Sequence, residues 1–536
     1  MAKLAKKKNE SNYTNVPELI LSKLTDLYIF FLLAVYPLYY ENKYYNMGEA
    51  KWTFFKNVTV LAAVLVGVVF AWYICEFARK NELVNAIVKA VKESSLTDKF
   101  VFAYLIVCMI STLLATDRSL AMKGYKGWYM GFMAQLCFVL IYLFVSRLWR
   151  WDPVALVVYL ASGFIVFFFG VIMRFGVDPM EMYLDLNDMY KLNFLSTLGQ
   201  ATWYSSYMCI IFPLGLFGFW YYDGKVKRAL LGLFTAVGFM TMVTQNSDSA
   251  YIAFAAIFFL LFWISLENNR YFERLLECLV ICFASFVFMG ILQVALSDRA
   301  TKLDSISTFM SQSIFTKLML VIAVAACAGF KYLIRRNDKI DIAKIKPVRV
   351  VLLVLILIAA VAVVIYIVLN TAGALPENLA SDNNYLLFDE FWGNNRGSSW
   401  TCAVGTFIQC SPLRKLIGAG PDCFARLVYE FYGETLHEKW GATTMLTCAH
   451  NEWLNTIINL GIFGFVTYVG IFVTSFVSCM KKAKEYPELY AVAISIAAYM
   501  CHNFFCYQQI ICTPVIFILM GGAAAISRRG YVREDV

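Results

Sequence analysis

Charge, proline and histidine are all scarce in this sequence. Only 15% of its 536 residues are Asp, Glu, Lys or Arg, against roughly 25% in a water-soluble domain. A single soluble core also stops growing near about 250–300 residues, so a soluble fold is excluded. Eleven prolines and 30 glycines leave no material for a long flexible linker. The net charge of +9 is no nucleic-acid footprint, because it is scattered between apolar runs. The N-terminal stretch MAKLAKKKNESNYTNVPELI is basic but has neither a short adjacent apolar region nor a small-residue cleavage site, so no cleavable signal is expected.

What is present is apolar. Hydrophobic residues make up 60% of the chain, 17% of it is aromatic, and the mean hydropathy is +0.64. At roughly 20 apolar residues per membrane helix, a dozen or more spans can be built. Fourteen runs of spanning length occur near 24–40, 54–77, 100–116, 128–146, 153–173, 201–221, 229–244, 250–266, 275–296, 313–334, 348–370, 452–480, 489–505 and 508–526. The expected fold is an all-α polytopic membrane protein with about fourteen transmembrane helices. The expected order is a segment 1–23, helices over 24–370, a long loop 371–451 carrying short helices, helices over 452–526, and a tail 527–536.

Sidedness follows from the cations. Gaps such as 41–53, 175–200, 245–249 and 371–451 fall on one side if the runs alternate. The opposite gaps hold Arg79, Lys80, Lys89, Lys92, Arg147, Arg150, Lys225, Lys227, Arg228, Arg270, Arg274, Lys331, Arg335 and Arg336, and then Lys481, Lys482 and Lys484. Lys6 to Lys8, Arg528 and Arg529 place both termini with this basic set. Lys and Arg collect in short cytoplasmic loops, so both termini are expected inside. No repeat relates two halves of the chain, which weighs against the inverted-repeat plan of many transporters.

Most of the fifteen cysteines sit within apolar runs, where a thiol packs as a small hydrophobe. Cys402, Cys410, Cys423 and Cys448 fall in the long loop, where a disulfide among them stays open. There is no CxxC, and no zinc site is expected.

Of three histidines, His450 is the most informative. In AHNEWLNTIINLGIFGF a helix beginning near His450 places Asn451, Glu452 and Asn455 in its first turn. At 100° per residue, Gly461 and Gly464 then lie on the same face as His450. Such glycines admit a close neighbouring helix or a lipid chain. An imidazole at a helix N-terminus is held neutral by the dipole, the form that accepts a proton. Upstream, FWGNNRGSSW presents Arg396 beside Asn394, Asn395, Ser398, Ser399 and Trp400, and SPLRKLIGAGPDCF presents Arg414 and Lys415. A guanidinium offers a planar fork matched to phosphate oxygens, and cations are otherwise rare on that side, apart from Arg118, Lys123 and Lys126. TQNSDSAYIAF puts Asn246, Ser247, Asp248 and Ser249 at a span mouth, where polar residues are functional candidates.

These residues resemble the O-antigen ligase and polymerase superfamily of bacterial membrane glycosyltransferases. The family signature is His, then Asn, Ser or Gln, nine residues, Gly, two residues and Gly, which matches His450, Asn451, Gly461 and Gly464. Arg396 with Trp400, the GAGPDCF turn and ATDRSLAMKGYKGWYMG are also similar to the family, over roughly residues 100–526. The resemblance implies transfer of a glycan from undecaprenyl diphosphate to an acceptor hydroxyl at the outer face of the cytoplasmic membrane, inverting and without metal or cofactor. The acceptor would be a glycan, a lipid or a protein. His450 would be the base and Arg396 would hold the diphosphate. Asn451, Trp400, Arg118, Lys123, Lys126, Arg414 and Ser247 would bind substrate, and Gly461 and Gly464 would form the helix-packing or lipid groove. Asp248 departs from the family, which often has Arg there, and the span count is two above the twelve usual for ligases. The competing expectation is a transporter or flippase of lipid-linked oligosaccharides, but polar groups gather at the outer ends of the runs rather than deep within them.

Overall fold

The computed structural model describes residues 16–441 and 445–530. The N-terminal residues 1–15, with Lys6 to Lys8, and the tail residues 531–536 lie outside the described residues.

The chain opens with α1 (Val16–Phe30), which continues into a π-helical stretch, Phe31–Val35. Next come α2 (Met47–Arg79), α3 (Leu83–Lys92), α4 (Leu96–Leu113), α5 (Arg118–Lys123), α6 (Phe132–Leu148) and α7 (Pro153–Arg174). A short α8 (Asp188–Lys191) precedes an antiparallel ribbon of β1 (Phe194–Leu195) and β2 (Gly199–Gln200). Then follow α9 (Ala201–Tyr221), α10 (Lys225–Thr244), α11 (Ser249–Ser265), α12 (Asn269–Ala295), α13 (Ser305–Gln312), α14 (Ile314–Arg336) and α15 (Val348–Thr371). The long loop contains α16 (Trp392–Gln409), α17 (Pro412–Ile417) and α18 (Phe424–Trp440). The chain ends with α19 (Glu452–Lys482), α20 (Glu488–His502) and α21 (Thr513–Arg529).

The fold is thus almost wholly helical, the two-stranded ribbon being a small departure from an all-α chain. Each of the fourteen apolar runs coincides in large part with a helix. Among the described residues, eight helices are long and apolar enough to cross a membrane, and α6, α11 and α20 are shorter apolar helices. The helix carrying the first run already covers Val16, the first described residue, and so extends further toward the N-terminus than the apolar run at 24–40. Glu18 meets Arg150 at 2.5 Å and Lys23 meets Asp26 at 2.7 Å.

At the centre, α9 is buried from Tyr204 to Trp220 and packs on α10, α11 and α20. A helix apolar on every side belongs inside such a bundle. By contrast, α15 is exposed along its length up to Asn370, and its Val and Ile side chains are those of a lipid-facing surface.

The connections sort into two groups, each touching only itself in the contacts that follow. In one, Asp98 accepts from Tyr142 (2.8 Å), Arg147 (3.1 Å) and Arg528, and Glu267 pairs with Lys346 and Arg349 at 2.7 and 2.9 Å. In the other, Tyr44 donates to the Ser196 carbonyl (2.6 Å), Tyr385 to Asp248 (2.5 Å), and the Tyr125 amide to Asp422 (2.8 Å). Gaps 41–53, 175–200, 245–249 and 371–451 all belong to the second group.

The expectation of one continuous helix from His450 through Gly464 does not hold. His450 precedes α19 in the left-handed region at φ 50°, Asn451 is the N-cap, and the helix is interrupted at Gly461, with φ 67° and ψ −169°. A Cβ on Gly461 would lie 2.3 Å from the Leu416 carbonyl carbon. The interruption frees the carbonyls of Ile458 and Asn459, which accept from the amides of Ala419 (3.0 Å) and Gly420 (2.8 Å). In a bilayer such carbonyls must find partners. Gly461 is therefore where the loop after α17 docks onto α19. It is buried against protein, as is Gly464, so neither glycine forms an open lipid groove.

Candidate active site

The site grows from three segments that meet at the second end of the bundle. The first is the turn before α19. Asn451 closes the helix by accepting from the Leu454 amide (3.1 Å), and the Glu452 amide donates to the Asn503 carbonyl (2.9 Å). His450 is thereby held at a fixed point, its ring edge-on to Tyr507 at 5.3 Å.

The second segment is the start of α16. Gly393, Asn394 and Asn395 all have left-handed backbones, a conformation that Gly and Asn tolerate best. The kink lets Arg396 Nη1 donate to the Gly393 carbonyl at 2.6 Å, while Nε is buried without a partner among the described residues. The guanidinium carbon lies 5.9 Å from the Phe505 ring centroid. One turn on, Trp400 stacks on Phe505 at 5.9 Å and packs at a tilt against Trp392 at 5.0 Å.

The third segment is 503–512, between α20 and α21. The apolar runs leave almost no gap here, yet this stretch is non-helical and largely buried. Irregular backbone at such depth is tolerated where it is enclosed by protein or lines a cavity. It presents Phe505 to Arg396 and Tyr507 to His450, and so joins the two.

The electrostatics follow from this proximity. Burial lowers the pKa of His450 from 6.5 to about 4, and the positive charge of Arg396 adds to the effect. The neutral imidazole expected from the helix dipole is therefore neutral for other reasons. Burial also pulls Arg396 below its usual value, opposed by nearby groups that include Asp248. Asp248 is the N-cap residue of α11, but its side chain makes no capping bond there. Its Oδ2 accepts from the Tyr385 hydroxyl, whose pKa burial and Asp248 together push up to about 12. Ser247 bonds Ser249 at 2.8 Å.

The remaining expected site residues are more scattered. Arg414 donates to the Gly418 carbonyl (3.0 Å) and to Thr116 (2.8 Å), which fastens the loop instead of leaving its fork open. Arg118, Lys123 and Lys126 stay exposed on α5 and its following turn. That turn wraps Asp422, whose Oδ2 accepts from the amides of Tyr125 (2.8 Å) and Met130 (3.1 Å). Burial raises Asp422 from 3.8 to about 7. Cys402, Cys410, Cys423 and Cys448 are all free, so no disulfide braces the loop. Tyr385, Asp422, Phe505 and Tyr507 were not legible as site residues. The signal for the last two was the polar cluster Asn503, Gln508 and Gln509 shortly before Pro514.

No protein-family model and no curated protein matches this chain.

Proposed function

We propose that the protein is a membrane glycosyltransferase of the O-antigen ligase and polymerase type. It moves a glycan from a polyprenyl diphosphate carrier to an acceptor hydroxyl at the outer face of the bacterial cytoplasmic membrane. Fourteen helices span the bilayer in this reading, with the Lys- and Arg-rich connections and both termini inside. The observation that carries the reading is a neutral imidazole within electrostatic reach of a part-buried guanidinium to which, among the described residues, no carboxylate is bonded. Support also comes from the sequence pattern His450, Asn451, Gly461 and Gly464.

In the transfer step, His450 takes the proton of the acceptor hydroxyl as its oxygen bonds to the anomeric carbon of the donor. The bond from that carbon to the phosphate oxygen breaks, and its electron pair leaves with the diphosphate. Arg396 bonds the oxygens on which that charge develops. A single displacement inverts the anomeric centre. An imidazole with a pKa near 4 is a weak base, but a diphosphate on Arg396 offsets the guanidinium charge and raises the imidazole pKa. Burial is the larger cause of the low value, so the bound donor relieves one part of it.

The test is a purified His450→Ala variant supplied with undecaprenyl-diphosphate glycan and a range of acceptors. Wild-type protein is expected to form product and the variant to lose at least 100-fold in rate. Transfer at the wild-type rate by the variant removes the base assignment.

A further inference from the structure

The connection between α2 and α4 holds a helix that the described residues leave uncovered. None of them buries any part of α3 (Leu83–Lys92), and its Val84 and Val91 are 72% and 67% exposed. An isolated helix shorter than about 12–15 residues is marginal in water, so α3 needs a surface to pack on. At 100° per residue, Leu83, Ile87, Val91, Val84 and Val88 fill one arc of about 140°. Lys92, Asn85 and Lys89 fill the opposite side, and Ala86 and Ala90 lie between the two.

Both ends of α3 are tied to helices long and apolar enough to cross a membrane, α2 and α4. Lys80, Asn81 and Glu82 are the whole link on one side, and Glu93, Ser94 and Ser95 on the other. Links that short reach at most about 14 Å, so α3 stays where α2 and α4 emerge from the bilayer. That end of the bundle is the Lys- and Arg-rich one, since Asp98 in the first turn of α4 accepts from Arg147 and Arg528. The stretch 79–93 itself carries Arg79, Lys80, Lys89 and Lys92 against Glu82 and Glu93, with Lys89 meeting Glu93 at 3.9 Å. An apolar arc opposite lysines is the pattern of a helix lying in the membrane surface. Lysine stems run along the apolar layer while their heads stay in the polar one, and an excess of cations there complements anionic headgroups.

We propose that α3 lies in the membrane surface at this end of the bundle, the cytoplasmic leaflet in the reading above. Val84, Ile87, Val88 and Val91 sit among the acyl chains, and Lys89 and Lys92 meet the phosphates of anionic phospholipids. The choice of leaflet rests on the sidedness reading; the lipid contact is independent of the transfer chemistry.

Hydrogen exchange read by mass spectrometry tests this on the full chain in nanodiscs, of phosphatidylcholine alone or of an equal mixture with phosphatidylglycerol. Each cation near an anionic leaflet contributes about fivefold in binding, so amides of α3 are expected to exchange about tenfold or more slowly in the mixture. Lys89→Gln combined with Lys92→Gln should remove most of that difference, and Val88→Asp should speed exchange in both lipids. Unchanged exchange in the central helix α9 shows that each variant is folded. Fast exchange of α3 in both lipids, or equal protection in both, overturns the inference. Protection that disappears on dilution of the protein marks contact with a second copy and overturns it as well. His450→Ala should leave α3 exchange unchanged, so loss of the transfer reading and loss of this one are separable.

Discussion

The guanidinium of Arg396 lies close enough to the imidazole of His450 to add to burial in lowering its pKa to about 4. A histidine so placed is uncharged across the physiological range, mainly through burial and in smaller part through the charge on Arg396. With only three histidines in the chain, this coupling is directly measurable. In ¹⁵N-histidine NMR, His450 should titrate near 4, and Arg396→Gln should move its midpoint upward toward 6.5. An unchanged midpoint would separate the two residues electrostatically.

Asp248 places a carboxylate near the cation that is proposed to hold an anion. Asp248→Asn should therefore lower the KM for the donor, by about two- to tenfold, with acceptor KM unchanged. The direction follows from removing a competing charge. Kinetics with donor and acceptor varied separately would reveal the split, and a higher donor KM would mean that Asp248 helps to bind the donor.

Gly461→Ala should lower the melting temperature of the purified protein and reduce its yield. The backbone at Gly461, with positive φ and extended ψ, is one that essentially only glycine adopts and costs an alanine roughly 1–3 kcal/mol, and the added Cβ would meet the Leu416 carbonyl carbon at 2.3 Å. Gly433→Ala is the informative partner, since that position is helical, has no positive φ, and an added Cβ there meets nothing within 4 Å. A smaller loss is expected there, and equal losses would argue against docking of the α17 loop at the break.

Asp422 predicts a pH dependence of stability. Its carboxyl is raised from 3.8 to about 7 by burial, so the folded state holds a proton that the unfolded state has released. The stabilisation is complete below about pH 4 and is lost as pH rises through about 7. Thermal unfolding in detergent should show a falling stability over that window, and Asp422→Asn should remove that part of the slope. An unaltered slope would place the proton elsewhere.

Much of the helical plan was legible because lipid exposure writes itself into composition. The run 201–221 coincides with α9 end to end, and 153–173 with α7 to within one residue. The segment 503–512 was not legible: Phe504 and Phe505 extend one apolar run, Ile510 and Ile511 open the next, and only tertiary burial reveals the unwound chain between them. His450 was legible from its spacing to two glycines. The break at Gly461, which makes one of those glycines necessary, appears only where the α17 loop supplies amides to the freed carbonyls.

From its order of residues alone, this protein is committed to a bilayer and to helices, because hydropathy and charge bias act locally and survive any arrangement of neighbours. The meeting of His450 with Tyr507 and of Arg396 with Phe505 was decided by the folded chain. These residues lie on segments separated by up to 111 positions, and the burial that lowers the pKa of both His450 and Arg396 exists only once the helices have packed around them.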